Sequence, residues 1–166
     1  MKPINNSSTF ALFIASMGNL GYAFPAAGTV GSLATMPFII VIAYFYGFLG
    51  LLVTSIILLI VALISVGSAL LSTKQQDPNF IIIDEAVGQC VTFLTIGQAL
   101  QGNLSIKVFF IYIMGFALFR LFDIWKPYPV SYFDEKVQGS IGVVLDDVCA
   151  GIYASLFLNV IYLLFP

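Results

Sequence analysis

The sequence predicts an all-α integral membrane protein: a compact bundle of about five transmembrane helices plus a short N-terminal re-entrant or interfacial helix. Three observations carry that expectation. Sixty per cent of the residues are hydrophobic and only 8% are charged, against about a quarter charged in soluble domains. Apolar runs recur along the chain between short polar or glycine-containing turns, at lengths matched to a hydrocarbon core of about 30 Å. The few charges are also concentrated. Of six basic and eight acidic residues, eight fall between Phe119 and Asp147.

Taken in order, residues 1–9 are polar and read as a frayed start. The apolar stretch Phe10 to Phe24 is interrupted by Gly18, Asn19 and Gly21. Those breaks make it too short to span and too irregular for a signal peptide, so a short re-entrant or interfacial helix is expected. A Pro/Gly-rich turn, Pro25 to Ser32, then feeds the first span, Val30 to Tyr46, with Thr29 or Ser32 as candidate cap and anion-binding hydroxyl. Aromatic residues around Gly47 and Gly50 mark a tight interfacial turn before the second span, Leu49 to Leu71. A polar loop, 72–79, leads to a third span, Phe80 to about Leu100, with Asp84 and Glu85 one turn inside it. The fourth runs from Leu104 to Trp125 and stops at Lys126-Pro127, because the residue before proline is driven out of helical geometry. Asp146-Asp147 is expected to open the fifth, which ends at Pro166. The whole of 1–166 reads as one membrane-embedded domain.

Composition excludes several chemistries. There is no histidine, which removes histidine-based triads, phosphohistidine intermediates and most zinc sites. Cys90 and Cys149 stand alone in apolar runs, without metal-ligand spacing and without an arginine about six residues on. A formal charge of −2 gives no reason to expect a nucleic-acid partner. Sidedness is informative. If the loop carrying Lys74 is cytoplasmic, then Lys2, Lys74, Arg120, Lys126 and Lys136 all lie inside and only Lys107 lies outside. That obeys the positive-inside rule and gathers every acidic residue at one membrane face.

The charged residues form patterns that suit phosphate chemistry. Arg120, Asp123 and Lys126 recur every third residue and make one polar stripe on a helix. Asp84-Gly88-Thr92 and Asp147-Gly151-Ser155 each place small residues beneath an acid at four-residue spacing, so two helices can approach closely with their acids facing. Within each acidic pair one member points to the site and the other lies about 100° around, and spacing alone does not choose between them. Two carboxylates about 4 Å apart repel by roughly 4 kcal/mol at an effective dielectric of 20, so convergence of several calls for a cation. Oxygen-only ligands favour Mg²⁺ or Mn²⁺. Arg120 and Lys126 would hold phosphate oxygens, and a water activated by the cation and deprotonated by a spare carboxylate would attack phosphorus. The bland readings are a helix-end salt bridge at Arg120–Asp123, dipole compensation at the two acidic pairs and a solvated charge run at Asp134 to Lys136. Their joint placement on one face favours the site.

Four elements together resemble the phosphatidylglycerophosphatase A family: Gly28-Thr29-x-Gly31-Ser32-Leu33; Asp84-Glu85-x-x-Gly88; Phe119-Arg120-x-x-Asp123-x-x-Lys126-Pro127-x-Pro129 with Phe133-Asp134; and Gly139-x-x-Gly142-x-x-x-Asp146-Asp147-x-x-Ala150-Gly151. The resemblance runs in order from about Gly18 to the end. It implies a multi-pass enzyme of the bacterial inner membrane, facing the cytoplasm. Such an enzyme uses Mg²⁺ to remove the terminal phosphate of phosphatidylglycerophosphate, a phospholipid, and yields phosphatidylglycerol. It further implies Asp84, Glu85, Asp123, Asp146 and Asp147 as catalytic carboxylates, with Glu85, Asp123, Asp146 and Asp147 on the metal. Thr29, Ser32, Arg120 and Lys126 would take the substrate phosphate, and Asp134 would stand behind the ligands. Three positions depart from the pattern: Ala27 replaces an expected proline, and Gln138 and Ser140 stand where some members carry histidine and glycine. The alternative from another class is a small ion-binding or transport membrane protein built on the same acids. One-sided placement of the acids, with none along the middle of a span, counts against it.

Overall fold

The computed structural model describes residues 6–74 and 78–164, and among these there is no β-strand. The expected frayed start and the centre of the 72–79 loop lie largely outside the described residues, as do Lys2 and Pro166. Among the described residues eight helices follow one another: α1 (Asn6–Ala15), α2 (Leu20–Ala23), α3 (Ala27–Thr73), α4 (Ile83–Thr92), α5 (Gly97–Leu100), α6 (Ile106–Trp125), α7 (Val130–Lys136) and α8 (Ser140–Leu164). Three of them, α3, α6 and α8, are long and apolar enough to cross a membrane.

The N-terminal segment is short and broken, as its composition predicts. Between α1 and α2 the chain turns through positive φ at Met17, Gly18 and Asn19. Ten residues of α1 span only about 15 Å. The segment is tied to the bundle by Ile82 N–H donating to the Ala15 carbonyl (3.0 Å) and by Tyr22 stacking on Phe80 at 4.5 Å.

A straight helix of 47 residues would measure about 70 Å, and α3 avoids that by folding back. Gly47 leaves helical geometry with φ 57 and ψ −140, a conformation that glycine adopts without steric cost. The turn is held from outside: Gln101 Nε2 donates to Phe45 O (3.2 Å) and Gly102 N–H to Tyr44 O (2.9 Å). The two ends of α3 therefore meet the same segment. A Cβ on Gly31 would reach Ile82 at 2.9 Å, while Ala69 shares a core cluster with Ile81 and Ile83.

Two expectations need correction. The third apolar run is not one helix from Phe80 to Leu100, because α4 stops at Thr92 and the chain turns before α5. Tertiary packing wins there. Fully buried Phe93 packs at a tilt against Tyr112 and fills the space over Gly115, while Thr95 Oγ1 donates to the Ser155 carbonyl of α8 (3.2 Å). Likewise Asp146-Asp147 does not open the last helix. Gly139 (φ 79) releases the chain into α8 at Ser140, and Gly142 packs on the Val137 carbonyl, so the acids lie well inside the helix. Compensation of the helix N-terminus does not explain them.

The facing stripes do form the centre of the bundle. A Cβ on Gly88 would lie 2.5 Å from the Asp147 carbonyl oxygen, and one on Gly151 would lie 3.2 Å from Gly88 Cα. The backbones of α4 and α8 are thus in contact, with fully buried Phe119 of α6 packed against Gly88. At the far end, Lys107 of α6 lies over the ring of Tyr162 of α8 (4.3 Å), so α6 and α8 run antiparallel. Arg120, Asp123 and Lys126 come out at the opposite end, beside the starts of α3 and α4.

Candidate active site

These helix ends enclose a cavity of about 570 Å³. Every acidic residue among the described ones lines it: Asp84, Glu85, Asp123, Asp134, Glu135, Asp146 and Asp147. Asp77 lies outside the described residues. Arg120, Lys126 and Thr29 line it too. Ser32 sits just behind the wall, fully buried, donating to the Gly28 carbonyl (2.9 Å) and accepting from Arg120 Nη1 (3.5 Å).

At the floor, Asp84, Glu85 and Asp147 each present a carboxylate oxygen, and these oxygens lie within 4.8 Å of one another. Asp84 and Asp147 are 6% and 4% exposed, so little water screens their repulsion. Glu85 Oε2 and Asp147 Oδ1 are enclosed and have no hydrogen-bond partner. A buried carboxylate oxygen without a donor costs several kcal/mol, and a bound divalent cation removes that cost. The donor set is all oxygen, so these residues fit a hard cation such as Mg²⁺.

The two cations of the cavity are held on either side of this floor. Arg120 Nη1 pairs with Asp123 Oδ2 at 2.6 Å, while its Nε is buried without a partner. Lys126 bridges two acids, Asp134 from α7 and Asp146 from α8, the latter at 2.9 Å. It ends α6 in a left-handed conformation (φ 47), its N–H donating to the Phe122 carbonyl. Burial alone would pull the Lys126 ammonium below the usual lysine range, but hydrogen bonds and charge from Asp134 and Asp146 outweigh it and raise it above. Lys126 is therefore a permanent positive charge at any physiological pH.

The family model described as Phosphatidylglycerophosphatase A matches residues 13–162. The chain belongs to the phosphatidylglycerophosphatase A family. It is 34% identical to the phosphatidylglycerophosphatase A of Haemophilus influenzae, an alignment covering 93% of this chain and 89% of the relative. Against the Escherichia coli phosphatidylglycerophosphatase A it is 33% identical over 77% of this chain and 69% of the relative. A Bacteroides thetaiotaomicron protein named as a candidate phosphatidylinositol-3-phosphatase is 32% identical over 84% of this chain and 86% of the relative. No solved structure matches. Members of the phosphatidylglycerophosphatase A family are phosphoric monoester hydrolases, and so is this chain.

The family motifs meet in this one cavity. Of the carboxylates expected on a metal, Glu85 and Asp147 converge, joined by Asp84. Asp123 and Asp146 line the same cavity but turn to Arg120 and Lys126. Asp134 touches Lys126 and reaches Asp146 only through it. Thr29 lines the cavity without capping α3, whose start follows Ala26 with no side-chain cap, and Ser32 bonds back to Gly28 instead. Gly28 itself proves important, since a Cβ there would lie 3.1 Å from Arg120 Nη1 and collide with the Glu85 carboxylate. Asn79 also lines the cavity and was not singled out from sequence. Its only signal is its place in the loop five residues before Asp84.

Proposed function

We propose that the chain is a Mg²⁺-dependent hydrolase of the terminal phosphate of phosphatidylglycerophosphate, releasing phosphatidylglycerol and inorganic phosphate at the cytoplasmic face of a bacterial inner membrane. The observation that carries this reading is the convergence of Asp84, Glu85 and Asp147, with two partnerless oxygens, between Arg120 and Lys126 in one cavity. The relatives named for this activity support the choice of substrate.

Placement supports the following roles. Asp84, Glu85 and Asp147 would hold the cation, with Asp123 and Asp146 completing the ligand set once phosphate oxygens compete for Arg120 and Lys126. When bound, the cation supplies charge neutralisation at the phosphoryl oxygens and a water of lowered pKa. Arg120 would grip two oxygens of the phosphate in its planar fork, while Lys126 offers a compact charge. A carboxylate not engaged as a ligand accepts the proton of the attacking water. Asp134 stands behind, holding Lys126 at the cavity wall.

The proposed arrangement has about five passes, counting the two arms of α3 and the broken α4–α5 segment with α6 and α8. Lys74, Arg120, Lys126 and Lys136 belong to the cavity end of the bundle and Lys107 to the other, a distribution that by the positive-inside rule supports a cavity facing the cytoplasm. Transport is disfavoured because every described acid lines the terminal cavity and none sits deeper along the bundle.

Purified protein given phosphatidylglycerophosphate in mixed micelles should release phosphate with Mg²⁺, stop in EDTA and resume when Mg²⁺ is restored. Undiminished release in EDTA would overturn the mechanism.

A further inference from the structure

Gln89 is fully buried on α4, and neither its amide nitrogen nor its amide oxygen has a hydrogen-bond partner. A buried primary amide left unpaired is destabilising, whereas an apolar side chain of similar size carries no such penalty. Packing therefore does not account for a glutamine here.

Its position on the helix suggests what does. Gln89 follows Glu85 by four residues, the spacing at which side chains on one helix face meet. That face turns towards α6. At one end of the row Glu85 and Arg120 both border Gly28 of α3, and four residues beyond Gln89, Phe93 packs over Gly115 and Tyr112. Gln89 lies between them on α4, one turn beyond Glu85. The partnerless atoms there are complementary: Glu85 Oε2 is an acceptor, Gln89 Nε2 a donor.

We infer that Gln89 is a positioning residue for Glu85, its amide N–H donating to Glu85 Oε2 so that the other carboxylate oxygen is presented to the cation. This rests on the reading of Asp84, Glu85 and Asp147 as a divalent-cation site. The pairing needs only a rotamer change in two flexible side chains one turn apart. Outer partners of metal-ligating carboxylates typically contribute 10–100-fold to metal affinity or activity.

The test compares Gln89→Met and Gln89→Leu with Tyr112→Phe, which removes another buried, partnerless group farther along α6. Affinity for Mn²⁺ and Mg²⁺ alone is measured by calorimetry, with melting temperature recorded in EDTA. Both Gln89 variants should match or exceed wild-type melting in EDTA and bind the cations about 10–100-fold more weakly, while Tyr112→Phe binds them normally. Either Gln89 variant, folded and with wild-type affinity, overturns the inference, as does an equal loss in Tyr112→Phe. Because no substrate is present, failure of the phosphatase reading shows separately, as wild-type protein that binds cation without releasing phosphate.

Discussion

Gly88 and Gly151 meet backbone to backbone, and a side chain on either would strike the main chain of the opposite helix. This contact brings the N-terminal turn of α4, with Asp84 and Glu85, beside Asp147 of α8. Gly151→Val should therefore separate the helices. Overpacking of this kind costs about 1–3 kcal/mol, and the cation site should suffer more than the fold. A variant that remains monodisperse and helical by circular dichroism yet shows no Mg²⁺-dependent rise in melting temperature is the expected result. Normal cation binding by Gly151→Val would show that the close approach does not build the site.

Asp147→Asn removes one charge from a crowded floor. Without metal, repulsion with Asp84 and Glu85 falls, so melting in EDTA should be unchanged or higher. Turnover should drop by more than the roughly 10–100-fold typical of an outer partner. Phosphate release and calorimetric Mg²⁺ titration on the same preparation check both halves, and near-normal turnover would remove Asp147 from the ligand set.

Lys126 and Asp134 should separate in their effects. Asp134 is among the exposed residues, and exposed ion pairs contribute only about 0–1 kcal/mol. Asp134→Asn should thus change kcat/KM only a few-fold, whereas Lys126→Gln, which also strips Asp146 of its partner, should cost far more.

The raised value of Lys126 also fixes a pH dependence. A base held above its unfolded value contributes stability fully below that value, about 10.4 for lysine, and loses it only as pH climbs through the higher folded value. The melting difference between wild type and Lys126→Gln attributable to lysine titration should stay flat from about pH 7 to 9. A difference that shrinks across that range would contradict the assignment.

The orientation can be read by labelling. In a background lacking the half-buried Cys149 and the buried Cys90, an impermeant maleimide should modify Leu104→Cys in intact cells. Glu135→Cys should react only in inverted vesicles. The reverse pattern would place the cavity outside.

Some of this was plain in the sequence. The end of α6 at Trp125 follows from Lys126-Pro127, a signal local to the chain. The break after Thr92 was not legible, because Phe93 to Leu100 is as apolar as the helix before it and only contacts with α6 and α8 interrupt it. The true start of α8 was hidden likewise, since 140–145 is apolar and its glycine at 142 read as loop. Membership of the cavity was read from charge pattern, but the facing of each carboxylate was not. Asp146 and Asp147 are neighbours on one helix, about 100° apart, and Asp147 turns to the floor only because Gly151 lets α4 in beneath it.

Next to the cavity-lining Lys126, the side chains of Ile124, Trp125 and Tyr128 form a largely uncovered apolar rim. In the proposed orientation this rim lies at the level of the lipid headgroups, so a substrate need never leave its leaflet. Under the proposed function its tails would stay among neighbouring lipids while the phosphate alone enters the pocket, and product would depart by sliding sideways. Encounter is then a search in two dimensions. Turnover should follow the mole fraction of substrate in the membrane rather than its bulk concentration, and dilution with inert lipid should slow the enzyme even when the total amount of substrate is unchanged.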